Sequence, residues 1–244
     1  MNKLLSLVSS LLIFTSCGNT YKIEGSSSVN SLDGKMVYLK MIKDGTSTSV
    51  DSAEVVHGNF KMKGKVDSTM MVTLFLDNEG IMPLVLEQGK INVSVDYNKL
   101  SARGTYLNEK LYDFIDKRNA LDLKIDELDR KEVRLVMEGA NIDDVQLQIN
   151  KEAEDLVNEM NTHVKTFIST NYENVLGPGV FIMLCSGLPY PMMTPQIDEI
   201  LKDAPYTFKS NALVKEFVNK AKENMELIEE HRRMRESEMV NSKN

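Results

Sequence analysis

The spacing of apolar residues changes near Asn108 and divides the chain into two halves. From Tyr21 to about Thr105, short apolar runs are separated by Gly, Asn and Asp residues, which are typical of tight turns. The segment from Phe60 to Lys63 alternates apolar and charged side chains, as in a strand with one buried face. The first half is therefore predicted to be an antiparallel β-sandwich or barrel.

Two places in this half have the pattern of a strand pair around a turn. His57-Gly58-Asn59 separates a predicted strand over 50–56 from the alternating segment that follows it. Gln88-Gly89-Lys90 separates the runs 81–86 and 91–97, and we expect these two strands to pair as well.

After Asn108 the apolar residues recur at the steps of three and four that are typical of amphipathic helices. Gly139 is suited to a left-handed helix end, and Asn141 to the cap of the next helix. Two long helices with so short a link are predicted to form an antiparallel hairpin. The positions that carry the pattern are Leu111, Ile115, Leu121, Ile125, Leu128 and Leu135, then Ile142, Val145, Ile149, Leu156, Met160 and Phe167.

Shorter helices, interrupted by Pro and Gly, are predicted for the rest of the chain. Residues 177–179 and 187–191 frame an apolar helix, and Thr194-Pro195 starts another. Ser210 is expected to cap a final helix, which gives way to a frayed, charged tail from Glu229.

The predicted fold class is therefore α+β, with an N-terminal antiparallel β-sandwich or barrel followed by a helical region that contains a long helical hairpin. The sandwich domain is expected over residues 17–107, the helical region over 108–235 and the charged tail over 236–244.

The first residues have the pattern of a bacterial export signal. A short start with Lys3 precedes an apolar stretch over 4–14, too short to span a bilayer. Thr15-Ser16-Cys17 then resembles the lipobox of lipoproteins, although Phe14 stands where Leu is usual. We expect residues 1–16 to be a signal peptide removed before Cys17; the alternative is an ordinary signal peptide with an incidental cysteine.

A lipidated Cys17, with palmitate among its acyl chains, would anchor the chain to a membrane of the cell envelope. The residues that follow it contain no acidic run, the feature that directs some lipoproteins to the cell surface. We therefore expect a lipid-anchored protein that faces the periplasm.

Composition and cysteine content narrow the function classes. A net charge of -7 without a basic patch argues against a nucleic-acid partner. Cys17 and Cys185 are the two cysteines of the sequence, so lipid on Cys17 would leave Cys185 without a disulfide partner. Because Cys185 ends the apolar run 180–184, it is interpreted as a buried small hydrophobic residue and not as a reactive thiol.

No group of residues in the sequence has the spacing of a catalytic or metal site. His57, His163 and His231 are far apart, and none has zinc-ligand spacing. Asp77–Gly80 is interpreted as a turn. Asp51-Ser52 is interpreted as the start of a strand, where such side chains commonly form hydrogen bonds with the nearby backbone. The prediction is a protein that is not an enzyme and holds no cofactor.

Several short motifs of the first half resemble one family. They are Gly25, Val50-Asp51-Ser52-Ala53, Gly58-Asn59-Phe60, Gly64 and Leu86-Glu87-Gln88-Gly89. Together they are similar to the domain of unknown function common in Gram-negative envelope lipoproteins, where it often precedes a thioredoxin-like, peroxiredoxin-related domain. The resemblance covers roughly residues 21–115, with Gln88 in place of a usual proline and Met62 in place of a usual aromatic residue.

The helical half looks like the linker that follows this domain in such proteins. Relatives with the fused domain carry Cys-x-x-Cys, which this sequence lacks. The resemblance therefore implies no redox activity here, and no catalytic residue of the family maps onto the chain.

Three roles follow from these patterns. The first is a scaffold or protein-binding lipoprotein with contacts on the helical half, where Tyr190, Met192 and Met193 form an apolar loop after Pro189. The loop could equally fold back as core. The second role is a small-ligand binder with a pocket at the sandwich end or between sandwich and helices. The third is an accessory to a thioredoxin-like partner acting in trans.

Overall fold

The computed structural model describes residues 19–43 and 46–241, which fold into eight strands followed by six helices. Residues 1–16, for which a signal peptide is predicted, and Cys17 lie outside these residues. The strands are β1 (Thr20–Ser27), β2 (Met36–Lys43), β3 (Thr46–Glu54), β4 (Asn59–Lys65), β5 (Met70–Leu76), β6 (Glu79–Leu86), β7 (Gly89–Val95) and β8 (Leu100–Arg103), with a short 3-10 turn at Asn30–Leu32. The helices are α1 (Tyr106–Met137), α2 (Ile142–Ser169), α3 (Leu176–Cys185), α4 (Pro195–Lys202), α5 (Tyr206–Lys209) and α6 (Ala212–Asn241).

The strands form two four-stranded sheets, in the orders β4-β1-β7-β8 and β3-β2-β5-β6. Their apolar faces supply the core, in which Ile23, Leu39, Leu74, Leu84 and Ile91 are fully buried. This arrangement, followed by helices, confirms the predicted α+β class and the change of pattern near Asn108.

Two predicted strand relationships are wrong. β1 and β7 run parallel, with Ile23 opposite Ile91, so the sandwich is not wholly antiparallel. β6 and β7 do not pair, because the chain crosses from one sheet to the other between Leu86 and Gly89. Both errors have one cause. The alternation of apolar and polar residues along a strand shows which side chains face the core, but it does not show which strand is its neighbour in the sheet.

The tight turn between Val56 and Asn59 matches its prediction. His57 and Gly58 both have positive φ, at 49° and 71°, as a two-residue hairpin turn requires. A Cβ at Gly58 would approach Ser27 O to 2.7 Å, which restricts this position to glycine.

α1 and α2 form the predicted helical hairpin. α1 ends at Met137, and Gly139 follows with φ 90°. Asn141 then caps α2 by accepting hydrogen bonds from the backbone N–H groups of Asp143 and Asp144. A small apolar cluster, which includes Leu128, Val145 and Ile149, holds the far end of the hairpin together.

The last four helices pack against the hairpin and the sandwich, and three details differ from the prediction. α3 begins at Leu176, so residues 177–179 lie in its first turn and do not precede it. Asn211, not Ser210, caps α6, because its Oδ1 accepts from Leu213 N at 3.1 Å. α6 continues to Asn241 instead of fraying from residue 229.

The helix persists in α6 because Glu, Arg and Met favour helix even without a buried face. Arg232 and Glu236 also form an ion pair at 3.2 Å, four residues apart. No helix within the described residues is long and apolar enough to cross a membrane.

Candidate functional site

Asp51, in the motif Val50-Asp51-Ser52-Ala53, connects the two sheets through a hydrogen bond. Tyr21 donates a hydrogen bond from its hydroxyl to Asp51 Oδ2 at 2.6 Å. Burial and the neighbouring carboxylate raise the pKa of Tyr21 well above its usual range. The ring of Tyr21 also covers Gly64, where a Cβ would come within 2.7 Å of the hydroxyl oxygen. Asp51 and Gly64 thus have structural roles in the sandwich.

Gly25, another of the motif residues, makes room for an aromatic ring. Gly25 lies opposite Phe60 in the β1–β4 pair, and a Cβ on Gly25 would overlap the Phe60 ring. Phe60 itself is buried in the core. The pairing explains why Gly25 and Phe60 occur together without any chemical role.

Glu87 connects the sandwich to the helical half. Its Oε1 accepts hydrogen bonds from Leu107 N at 2.9 Å and Asn108 N at 3.3 Å, in the first turn of α1. These N–H groups have no partner within the helix, and a carboxylate is favoured at the positive end of the helix dipole. Glu87 of the Leu86–Gly89 motif is therefore a cap for α1.

α1 in turn closes the open edge of β6. The fully buried Asn108 donates to Val85 O at 2.7 Å and accepts from Val85 N at 2.9 Å. One turn later, Tyr112 donates to Pro83 O at 2.9 Å, and burial raises the pKa of Tyr112 far above its usual value. Pro83 has no N–H to leave unpaired, which suits an edge strand. This closure was not predicted, because a buried amide four residues before a tyrosine has no distinctive sequence signal.

An ion cluster supports the same junction from the side of β8. Arg103 contacts Asp113 at 2.5 Å, Glu109 at 2.9 Å and Asp116 at 2.9 Å. Hydrogen bonds from Gly104 N and from Arg103 lower the pKa of Glu109. These three carboxylates belong to α1 and the guanidinium belongs to β8, so the ion pairs connect the helix to the sheet.

The three histidines lie on different elements. His163 Nε2 lies 3.1 Å from Phe114 O, and its ring stacks on the Phe114 ring with centroids 4.9 Å apart. His57 lies in the β3–β4 turn, and His231 is on the outer part of α6. In the part of the chain that the structure describes, no group of three or more His, Cys, Asp or Glu side chains could hold a metal ion.

Cys185 is buried at the end of α3, as expected. Desolvation raises the pKa of its thiol to about 12. A thiol with that pKa is protonated at neutral pH and is a poor nucleophile.

Tyr190, Met192 and Met193 lie together on the loop between α3 and α4, and they differ in exposure. Tyr190 is 44% exposed, whereas Met192 and Met193 are half-buried. Met193 packs against the core, so its part of the loop does fold back onto the helices. We call residues 188–193 the α3–α4 loop.

A hydrogen bond connects this loop to α6. Asn224 donates from its side-chain amide to Pro191 O at 2.8 Å. The two prolines that flank Tyr190 further restrict its backbone. The loop therefore presents an exposed tyrosine on a held backbone, and Asn224 is a site residue that sequence reasoning missed.

A cleft lies between the sandwich and α1, one of the places where a ligand pocket is expected. Its volume is about 610 Å³. Tyr112, Ile115 and Leu123 of α1 line one side, and Tyr97 and Leu100 line the other. Asn98 and Asn119 add polar groups at the rim.

Comparison with known proteins gives one result. Residues 21–111 match the model of a family described as a domain of unknown function, DUF4369. No match is found among curated proteins or among solved structures. The match spans the sandwich and the first turns of α1, which confirms the resemblance and places the closing residue Asn108 inside the family domain.

Proposed function

We propose that this chain is a non-catalytic, membrane-anchored envelope lipoprotein that binds a partner protein through the α3–α4 loop. The observation that carries the proposal is the exposed Tyr190 on a loop that Asn224 holds in place. Tyrosine and methionine are enriched at protein interfaces, where Met adapts to irregular partners. A loop already fixed in one conformation loses less entropy on binding.

The family domain supports this role as a scaffold. Its motif residues Gly25, Asp51, Gly64 and Glu87 are engaged in packing, sheet-to-sheet contact or helix capping. The same framework holds α1, and through α1 the helical half, against the sandwich. Anchoring through Cys17 and a position in the envelope rest on Thr15-Ser16-Cys17.

The experiment is site-specific photocrosslinking in living cells. A photoreactive amino acid is placed at Tyr190 or Met192, with controls at Lys61 on the sandwich and at Tyr206. Tyr206 is a matched control, because it is an 83% exposed tyrosine of the helical half that lies outside the loop. Discrete protein adducts at Tyr190 and Met192, absent from both controls, are expected. Equal adducts at all four positions, or none at the loop, would contradict the proposal.

The cleft beside α1 favours a second candidate function, the binding of a small ligand. Its mixture of tyrosine, apolar and amide side chains is typical of ligand sites. The fluorescent probe anilinonaphthalene sulfonate can report on it. Saturable binding that Ala120→Phe abolishes by filling the cleft would favour this function, and binding unaffected by Ala120→Phe would exclude the cleft as the site.

A further inference from the structure

The solvent side of the sheet β4-β1-β7-β8 carries a group of exposed lysines. Lys61, Lys63 and Lys65 are exposed at every second position of β4. Lys22 of β1 and Lys90 of β7 lie on the same side, because the register places Lys22 opposite both Lys63 and Lys90. We call these five residues the lysine face.

The lysine face is positive, although the chain as a whole has a net charge of -7. Glu24 is the one acidic residue in β1, β4 and β7, and it contacts Lys22 at 2.5 Å and Lys90 at 2.6 Å. These three strands therefore have an excess of positive charge, to which β4 alone contributes three lysines. The sequence contains no corresponding basic run, because the sheet brings these lysines together from separate segments.

Protection of a sheet edge explains only part of the lysine face. β4 is the edge strand of its sheet, and lysines on an edge strand discourage pairing with another chain. Lys22 and Lys90, however, lie on interior strands, and Lys22 has a lysine directly opposite on each side. Like charges in that position destabilise a sheet. Glu24 offsets part of the repulsion, and the charge that remains is complementary to an anionic surface.

The lysine face also begins next to the predicted lipid anchor. Thr20 starts β1 three residues after Cys17, and an extended chain of that length spans at most about 11 Å. Thr20 lies opposite Lys65, and Lys22 follows it by two residues. A bilayer that holds lipid on Cys17 would therefore lie within reach of these lysines.

We infer that the lysine face lies on the membrane surface and binds the headgroups of anionic phospholipids. Lysine clusters beside a membrane anchor are attracted by the negative surface potential of such lipids. Lipid on Cys17 would hold the chain at the bilayer, and the lysine face would decide which side of the sandwich is turned towards it. The inference rests on the membrane anchor of the proposed function and adds the orientation of the anchored chain.

Co-sedimentation with vesicles tests the lysine face in the full chain with Cys17→Ala, which has no lipid anchor. The vesicles contain phosphatidylcholine alone, or phosphatidylcholine and phosphatidylglycerol in equal amounts. Stronger binding to the anionic vesicles is expected, and high salt is expected to remove the difference because it screens exposed charges. Binding through residues 1–16 is shared by every variant and does not affect the comparison between variants.

The test variant carries Lys61→Gln, Lys63→Gln and Lys65→Gln together in that chain. Each lysine near an anionic surface contributes about a five-fold increase in binding, so binding to the anionic vesicles is expected to fall on the order of a hundred-fold. Both ion pairs of Glu24 remain, because they involve lysines of other strands. Urea denaturation checks that the variant keeps its fold.

The matched control removes three exposed lysines of the helical half, one each from α1, α2 and α6, by Lys124→Gln, Lys151→Gln and Lys215→Gln. It has the same net charge as the test variant and is expected to bind the anionic vesicles as the parent chain does. Equal binding by the test variant and the parent chain would overturn the inference, and so would an equal loss in both triple variants.

Another anionic partner would give a different result. Binding to soluble dextran sulfate that depends on the three lysines of β4, without binding to anionic vesicles, would overturn a membrane as the occupant. Acyl labelling of Cys17 in the wild-type chain is measured separately, so failure of the lipid anchor is distinguishable from failure of the lysine face. Contact of Lys61 with lipid yields no discrete protein adduct, so this position remains a control for the α3–α4 loop.

Discussion

The side-chain amide of Asn108 makes both of the hydrogen bonds to Val85 that a neighbouring strand would supply. It donates to the carbonyl at 2.7 Å and accepts from the N–H at 2.9 Å. A helix residue thereby completes the edge of a sheet and connects the two halves of the chain.

Asn108→Leu is expected to destabilise the fold strongly. The substitution leaves the N–H and C=O of Val85 buried without partners, which costs about 3 kcal/mol in the free energy of unfolding. Urea denaturation measures the loss. Asn119→Leu is the control, because Asn119 is an exposed amide of the same helix. Similar stabilities for the two variants would contradict the edge-closing role of Asn108.

Stability is expected to fall at alkaline pH because of two buried tyrosines. The pKa values of Tyr21 and Tyr112 are raised in the folded chain, whereas tyrosines of the unfolded chain ionise near pH about 10. Above that pH the unfolded state binds fewer protons than the folded state, so the free energy of unfolding decreases as pH rises.

Single substitutions identify the groups responsible. Tyr21→Phe and Tyr112→Phe are each expected to flatten the alkaline decrease measured by urea denaturation over a pH series. Tyr206→Phe is the control, because it removes the hydroxyl of an exposed tyrosine. An alkaline slope that is identical in all three variants would show that other groups cause it.

How well the sequence predicts an element depends on the range of the interactions that decide it. The turn at His57-Gly58 and the caps at Asn141 and Thr194 were predicted correctly, since each involves a few consecutive residues. The parallel partner of β1 was not predicted, because sheet order depends on contacts between distant segments.

The candidate site also combines features that neighbouring residues decide with features that distant segments decide. The sequence leaves open whether the α3–α4 loop is exposed or folds back as core, and in the structure Tyr190 is exposed. Met193 has the same local pattern but packs against the core, which only the position of the surrounding helices decides. The bond from Asn224 to Pro191 joins residues 33 apart in sequence, beyond the reach of any local pattern.

Cys185 is expected to be unreactive in the folded chain. With its pKa raised to about 12 and its side chain buried, it should resist iodoacetamide near neutral pH and react only after unfolding in concentrated urea. The Cys17→Ala chain isolates this thiol, and mass spectrometry of the alkylated protein measures it. Rapid labelling without urea would contradict the buried position, and disulfide reductase activity that survives Cys185→Ser would contradict a non-catalytic role.

Cys17→Ala is expected to abolish acyl labelling and to release the chain from the membrane fraction. The reason is that lipid on one cysteine supplies the anchor, with each buried CH₂ contributing about 0.8 kcal/mol. Metabolic labelling with a palmitate analogue, followed by membrane fractionation, measures both effects. Cys185→Ala serves as the control, because it removes the other cysteine and should leave labelling unchanged. A Cys17→Ala chain that is processed normally and stays membrane-bound would refute the lipid anchor.

The contribution of Asn224 to partner binding is the most direct test of the central claim, that a held loop presents Tyr190 to a partner protein. The measurement is the yield of photocrosslinked adduct from position 190 in living cells, with and without Asn224→Ala. Because the substitution frees the backbone of Pro191, the adduct is expected to decrease several-fold at equal protein abundance. The matched substitution Asn211→Ala, which removes an α6 cap away from the loop, should leave the yield unchanged. A discrete adduct whose yield is the same with and without Asn224 would contradict the account, because the loop would then bind without being held.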